Sequence, residues 1–301
     1  MDKLIPNYDV TVLDDFSSGQ LRNIHRHLES PNFKLVRGSV LDVDAMNEAV
    51  REVDAVVHLA AVVSVIRSIK EPRLVHQVNT EGTLNVLETC AKHSVGKFVF
   101  ISSAAVYGND IATPFSEELP PKPMSLYGAT KEAGEAYVRA YGETHNLKTV
   151  ILRLMNVYGP RRSPGLYSGV MMKFAEAISL KRPLTIYGDG EQTRDFTFVS
   201  DVIDAITKVL HLEQAVGHTF NIGTGIPSTV NKLATLFSKA GEPKSPILHK
   251  PARRGEVRAS YADIRKAKEL LGYEPQVSLG KGVELFMQWY NNVQDTELKS
   301  R

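Results

Sequence analysis

Five short runs in the first half of the chain are largely apolar and rich in β-branched residues: Asp9–Leu13, Phe33–Gly38, Ala55–Leu59, Lys97–Ile101 and Thr149–Leu154. Their apolar continuity predicts strands buried on both faces rather than strands with one wet side. Between them run longer stretches in helical rhythm, notably Pro72–His93 and Tyr127–Thr144. Such alternation predicts an α/β chain, a parallel sheet covered by helices on both faces. Ligands of open sheets of this kind sit beyond the carboxyl ends of the strands, so the residues just after each strand carry the interest.

From about Gly159 the texture changes. Glycine and proline become frequent, and helical patterns at Tyr167–Leu180, Asp201–Leu212, Asn231–Ala240 and Ile264–Leu271 are separated by irregular loops. This predicts a smaller second part, some of whose segments return to the main sheet. The polar tail after Asn292 is expected to fray.

Composition narrows the class. With 301 residues, 43% hydrophobic and 23% charged, the chain has the make-up of a globular protein with a sizeable core. Its net charge of +2 arises from near-equal acids and bases and makes no case for nucleic acid or a membrane surface as partner. The single cysteine, Cys90, rules out an internal disulfide and falls in an apolar helical pattern, as a buried thiol would. No run approaches the length of a membrane span, and Met1-Asp-Lys-Leu-Ile-Pro6 has no apolar core of signal-peptide length. A cytoplasmic enzyme or binding protein is the expectation.

Chemistry enters with Tyr127-Gly-Ala-Thr-Lys131. A tyrosine and a lysine four apart share one helix face, and an ammonium beside a phenol favours phenolate, lowering a pKa ordinarily near 10. That makes a general base for a sugar hydroxyl. The spacing alone is weak, since it also describes an ordinary solvated face. Ser102-Ser103-Ala-Ala-Val-Tyr-Gly108 strengthens it, because a hydroxyl at the end of a strand can steady the same substrate oxygen.

The runs Phe100-Ile-Ser-Ser-Ala-Ala-Val-Tyr-Gly108 and Ser125-Leu-Tyr-Gly-Ala-Thr-Lys131 resemble the extended short-chain dehydrogenase/reductase family, and within it UDP-glucose 4-epimerases. The resemblance continues through Leu152–Arg161, Tyr187–Phe196, Phe220–Gly225, Arg254–Arg258, Tyr261–Asp263 and Leu271–Pro275, nearly the whole chain. It implies a Rossmann-like doubly wound sheet: an NAD-binding part over residues 1–158, and a mainly nucleotide-sugar-binding part over 159–301. It implies Ser103, Tyr127 and Lys131 as the catalytic trio, with Lys131 also on the nicotinamide ribose. Cofactor contacts carried over by the resemblance are Asp14 on the adenosine ribose, with Asp15 and Ser18 beside it, Ser39 and Val40 near adenine, Leu59, Ala60 and Ala61 under the diphosphate, Asn79, and Ser102. A carboxylate at Asp14 favours NAD over NADP. Substrate contacts carried over are Asn156, Tyr187, Arg194, Arg253, Glu256, Arg258 and Ser260, the arginine forks suiting paired phosphate oxygens. No metal is implied, and a homodimer is.

The chain departs from the family at its start. The family opens with a strand and a Gly-x-x-Gly-x-x-Gly turn that approaches the cofactor pyrophosphate, whereas Met1–Pro6 resembles the end of the helix that follows. The absent strand is central in that fold, so its loss is expected to leave a gap between neighbours with unpaired backbone groups. Either the natural protein starts further upstream, which the intact downstream motifs favour, or the truncation is real and NAD binding suffers. Smaller departures are Ser39, where the family commonly has an acid, and Leu154, where an aromatic often stands near the nicotinamide.

Ala104 and Ala105 narrow the reaction, because related dehydratases and decarboxylases place acids there for further proton transfers. What the resemblance leaves is epimerisation at C4 of a UDP-hexose through a 4-keto sugar. Ser260, at a position that gates a 2-N-acetyl group in the family, is small, which leaves room for UDP-GlcNAc and UDP-GalNAc beside UDP-glucose and UDP-galactose. A UDP-glucuronate 4-epimerase, a nucleotide-sugar reductase and a nucleotide-sugar-binding protein without turnover stay open as alternatives.

Overall fold

The strands form where β-branched residues cluster, and the computed structural model describes residues 1–109, 112–161, 169–240, 245–252 and 257–299, the side chains of 294–299 excepted. In the first half these strands are β1 (Val10–Asp14), β2 (Phe33–Arg37), β3 (Ala55–His58), β4 (Lys97–Ser103) and β5 (Lys148–Leu154). The helices between them are α1 (Val43–Val50), α2 (Val65–Lys70), α3 (Pro72–His76), α4 (Gly82–Lys92) and α5 (Leu126–His145). The second half adds β6 (Asn156–Tyr158), α6 (Val170–Ser179), β7 (Leu184–Tyr187), β8 (Thr193–Arg194), β9 (Phe196–Phe198), α7 (Val199–His211) and β10 (Thr219–Ile222). It ends with β11 (Ser228–Thr229), α8 (Val230–Ala240), β12 (Ile247–Lys250), β13 (Ala259–Ser260), α9 (Arg265–Leu271) and α10 (Leu279–Lys299).

The main sheet runs β10-β5-β4-β3, parallel throughout. Its strands are buried on both faces, as their continuous apolar runs predict: Val99, Ile101, Val150 and Leu152 meet α7 and α9 residues on one side, while Phe98, Phe100 and Ile151 meet α4 and α5 residues on the other. The segment that returns from the second half is β10, paired with β5.

β1 and β2 form a separate parallel pair, with no hydrogen-bonded link to β3 among the described residues. Leu13 of β1 and Val56 of β3 nonetheless pack on the same cluster around Val40, Met46 and Leu87. The sheet is thus divided between β1 and β3, and β1 is only half-buried along its whole length.

Two elements differ from the sequence expectation in ways that matter for the site. β4 runs to Ser103 rather than Ile101, because Ser102 and Ser103 keep the register opposite Arg153 and Leu154. The single helix expected over Pro72–His93 is instead α3, a π-helical turn at Gln77–Glu81, and α4. The wide turn aims Asn79 inward, where it is 1% exposed and bonds both the loop after β3 and Thr130 of α5.

A buried lysine ties the sheet to its covering helix. Lys97, at the start of β4, donates to the carbonyls of Val209, Leu210 and Leu212, satisfying the acceptors that α7 leaves open at its end.

The second half builds a separate apolar cluster. Met172 and Phe174 of α6, Ile186 of β7, Leu233 and Phe237 of α8 and Phe286 of α10 pack together. No helix among the described residues is long and apolar enough to cross a membrane.

Candidate active site

The start of α5 decides where its tyrosine points. Ser125 caps the helix, its hydroxyl accepting from the Gly128 amide at 3.0 Å. Gly128 then lies so close to the Ala105 carbonyl that a Cβ there would stand 2.4 Å from the oxygen. The first turn of α5 is therefore seated on the turn that follows β4. That contact brings Tyr127 of α5 beside Ser103 of β4, whose hydroxyl works against the effect of burial on the phenol. Ser103 Oγ also accepts from the Ala105 amide at 3.2 Å.

Lys131 lies one turn further along α5, 4% exposed, its Nζ donating to the Ile101 carbonyl at 2.8 Å. Burial lowers its pKa to about 8, and the nearby Glu135 carboxylate opposes that fall. Tyr127 is 7% exposed, and burial raises its pKa, with the Ser103 bond pulling partly back. This corrects the expectation that the lysine lowers the phenol. In this arrangement the ammonium is turned to a backbone carbonyl, and desolvation of the phenolate outweighs other influences. His58 of β3, buried beside Lys131, has its pKa lowered to about 3 by burial and then by that ammonium, so it is neutral.

Behind the trio lies a group that the sequence reading assigns no role. Glu135 is fully buried and accepts from Ser102 Oγ at 2.6 Å, from Arg153 Nε and Nη2 at 2.9 and 2.7 Å, and from Arg139 Nη1 at 3.2 Å. These bonds hold its pKa below the ordinary glutamate value against the opposing effect of burial. The Ser102 hydroxyl, expected on the cofactor side, is directed into this interior network. Two signals for it were present in the sequence: an acid four after Lys131 on the same helix face, and an arginine inside the apolar strand β5.

Asp14 ends β1, its Oδ1 accepting from the Phe16 amide at 2.7 Å. Gly19 faces it, and a Cβ there would come within 3.2 Å of both carboxylate oxygens, a contact that would oblige the carboxylate to shift by a few tenths of an ångström. Asp15 accepts from the Ser17 amide, and Ser18 is exposed. Ser39 accepts from the Leu41 amide, and Val40 is buried beside it. Leu59, 58% exposed, and half-buried Ala60 and Ala61 follow β3. These residues all lie at carboxyl ends of β1, β2 and β3, as a ligand along that edge requires.

In the second half, Arg194 of β8 and Ser260 of β13 are paired in register. Arg258 makes an exposed two-oxygen contact with Asp189 at 2.8 and 2.9 Å, and Tyr187 at the end of β7 receives Gln192 on its carbonyl. Asn156 opens β6 with an exposed side chain. Arg253 and Glu256 lie outside the described residues. Asp195, unremarked in the sequence reading, is fully buried and accepts from the Thr224 and Gly225 amides and the Thr224 hydroxyl, pinning the loop after β10. Among the described residues no group of three or more His, Cys, Asp or Glu side chains is placed to hold a metal ion.

A sequence model of the NAD dependent epimerase/dehydratase family matches residues 3–223. A UDP-glucose 4-epimerase of Mycolicibacterium smegmatis is 37% identical over 296 residues, covering 97% of this chain and 94% of that one. Among solved structures, the UDP-glucose 4-epimerase of Thermotoga maritima with UDP-glucose superposes with a TM-score of 0.91 at 36% identity, covering 97% and 94% of the two chains. The UDP-glucuronic acid 4-epimerase of Bacillus cereus, in complex with UDP-glucuronic acid and NAD, does so with a TM-score of 0.90 at 31% identity, again over 97% and 94%.

Proposed function

The chain belongs to the NAD dependent epimerase/dehydratase family, and we propose that it interconverts C4 epimers of a UDP-hexose, UDP-glucose and UDP-galactose first among them. The observation that carries this reading is the Ser103–Tyr127–Lys131 group at the carboxyl end of β4, followed by Ala104 and Ala105 rather than acids. Tyr127, protonated at rest, acts once it has given up its own proton: as phenolate it takes the proton from the C4 hydroxyl, and Ser103 steadies the oxygen as its carbon becomes trigonal. When bound, NAD supplies the acceptor that takes the C4 hydride and returns it to the other face of the 4-keto sugar. Two methyl groups beside Ser103 offer no acid for the elimination that a dehydratase needs.

For NAD we assign Lys131 to the nicotinamide ribose, Asn79 to the cofactor side behind the loop after β3, and the Asp14 carboxylate to the adenosine ribose. Leu59, Ala60 and Ala61 would lie along the diphosphate. Asn156, Tyr187, Arg194, Arg258 and Ser260 are the described residues we assign to the UDP-sugar, with Arg253 and Glu256 completing the set. Half-buried, small Ser260 supports admission of the N-acetylated pair as well. A dimer through α4 and α5 belongs to the same reading, supported by the exposed Tyr137 on α5.

The test is to incubate the purified protein with NAD and UDP-galactose, then separately with UDP-GalNAc and UDP-glucuronate, and to resolve the products. UDP-glucose from the first mixture is expected. Turnover of UDP-glucuronate alone would favour the activity named for the Bacillus cereus neighbour, and turnover only with added NADH would mean a reductase.

A further inference from the structure

Lys131 and Glu135 stand one turn apart on α5 and grip consecutive residues of β4. The lysine holds the carbonyl of Ile101 at 2.8 Å, and the glutamate holds the hydroxyl of Ser102 at 2.6 Å. Ser103, which meets the Tyr127 phenol, is the next residue of the strand. The end of β4 is thus clamped to α5 at two successive residues just before the one that does chemistry.

The clamp has an electrostatic side. An ammonium as buried as Lys131 is costly to keep charged, because water no longer solvates it. Glu135 is ionised in the same interior by the paired contacts of Arg153 and the added bond from Arg139, so a fixed negative charge lies one turn behind the ammonium. The groups around the two are few. His58 of β3 is neutral, and Tyr127 is protonated at rest. Asn79, presented by the π-helical turn, is uncharged and bonded to Thr130. Arg153 lies against the Tyr107 ring, 4.8 Å from its centre, and beyond it Glu117 and Lys266 line an outer cleft of about 320 Å³. Of these, the opposite charge that acts on Lys131 is Glu135.

Building on the epimerase reading, we propose that Glu135 is a positioning residue: it locks the end of β4 onto α5, which sets Ser103 against Tyr127, and it keeps the enclosed Lys131 in its charged form. A glutamate serving stability alone would need only Arg153. Here the same carboxylate also takes the serine that precedes Ser103, and its helix carries the lysine and the tyrosine.

The test reads Lys131 directly. Full-length protein carrying [13Cε]lysine is titrated by NMR, with Lys131→Met identifying the signal. The wild-type midpoint is expected near 8, and in Glu135→Gln it moves down by about one pH unit or more, the scale of a lost neighbouring opposite charge. In the same variant kcat falls and the alkaline limb of its pH profile moves down in parallel, while KM for UDP-glucose stays within about threefold (roughly 0.6 kcal/mol). Glu135→Asp keeps the charge and restores most of the midpoint. Should Glu135→Gln fail to fold by circular dichroism, Glu135→Met/Arg153→Met leaves no lone buried guanidinium and carries the same expectation. An unmoved midpoint in a folded variant overturns the proposal. The titration needs no turnover, so a shifted midpoint in a protein that epimerises no UDP-sugar would uphold the role of Glu135 on Lys131 and sink the epimerase reading instead.

Discussion

The two flanks of β3 are built differently. On one side β4, β5 and α5 form a corner whose side chains are almost all buried and whose polar groups are paired: Glu135 with Arg153 and Ser102, Lys131 with Ile101, Tyr107 with Asn221 at 2.7 Å. On the other side the sheet stops, and β1 and β2 stand as a half-buried pair joined to the rest through α1 and α4. The first flank carries the groups we assign to acid–base chemistry, and the second carries Asp14 and the edge we assign to the dinucleotide. The chemistry is fixed by packing, whereas the cofactor edge rests on fewer bonds and depends more on what binds there.

The largest effect expected is on the rigid flank. Tyr127→Phe removes the acid–base group and should cut kcat by a factor of roughly a hundred to ten thousand, with UDP-sugar binding retained in a titration. Near-normal turnover would remove the comparison's premise that the buried corner is where the chemistry is done. Next comes Arg153→Met, which strands the buried Glu135 carboxylate and should cost about 3–5 kcal/mol in urea unfolding.

Acid should separate the flanks as well. His58 is held neutral in the fold, with its pKa about 3 against an ordinary 6.5, and Glu135 is held ionised below its ordinary value. Both folded-state values are depressed, so the stability linked to them is complete above the unfolded values and is lost as pH falls through the folded ones. Unfolding free energy should therefore decline below about pH 6.5, by less in His58→Gln, as denaturant titrations at stepped pH would measure. A decline of equal size in that variant would place the acid sensitivity elsewhere.

The smallest effect sharpens the contrast most. Val99→Ala in β4, fully buried, should cost about 2 kcal/mol, and Val12→Ala in half-buried β1 less than about 1 kcal/mol. Equal losses would mean that the divided edge is packed as firmly as the corner.

Much of the corner was legible in the sequence because it rests on local rules. Apolar runs mark buried strands, and Tyr127 and Lys131 share a helix face by spacing. Illegible were features set by contacts across long separations. Glu135 on the Lys131 face and Arg153 inside an apolar run each stand out alone, but nothing in the sequence pairs them across 18 residues. The π-helical turn that aims Asn79 has no local signature, because it answers to the loop after β3 and to Thr130, 51 residues on. The direction of the Tyr127 shift depends on burial, which residue spacing does not report.

Lys97 binds the fate of two elements to each other. Its buried ammonium closes the last carbonyls of α7 from the first position of β4. The final turn of the helix therefore cannot fray on its own, as exposed helix ends do. It opens only when the strand opens, so its amides exchange with solvent in the same cooperative step as those of the central sheet.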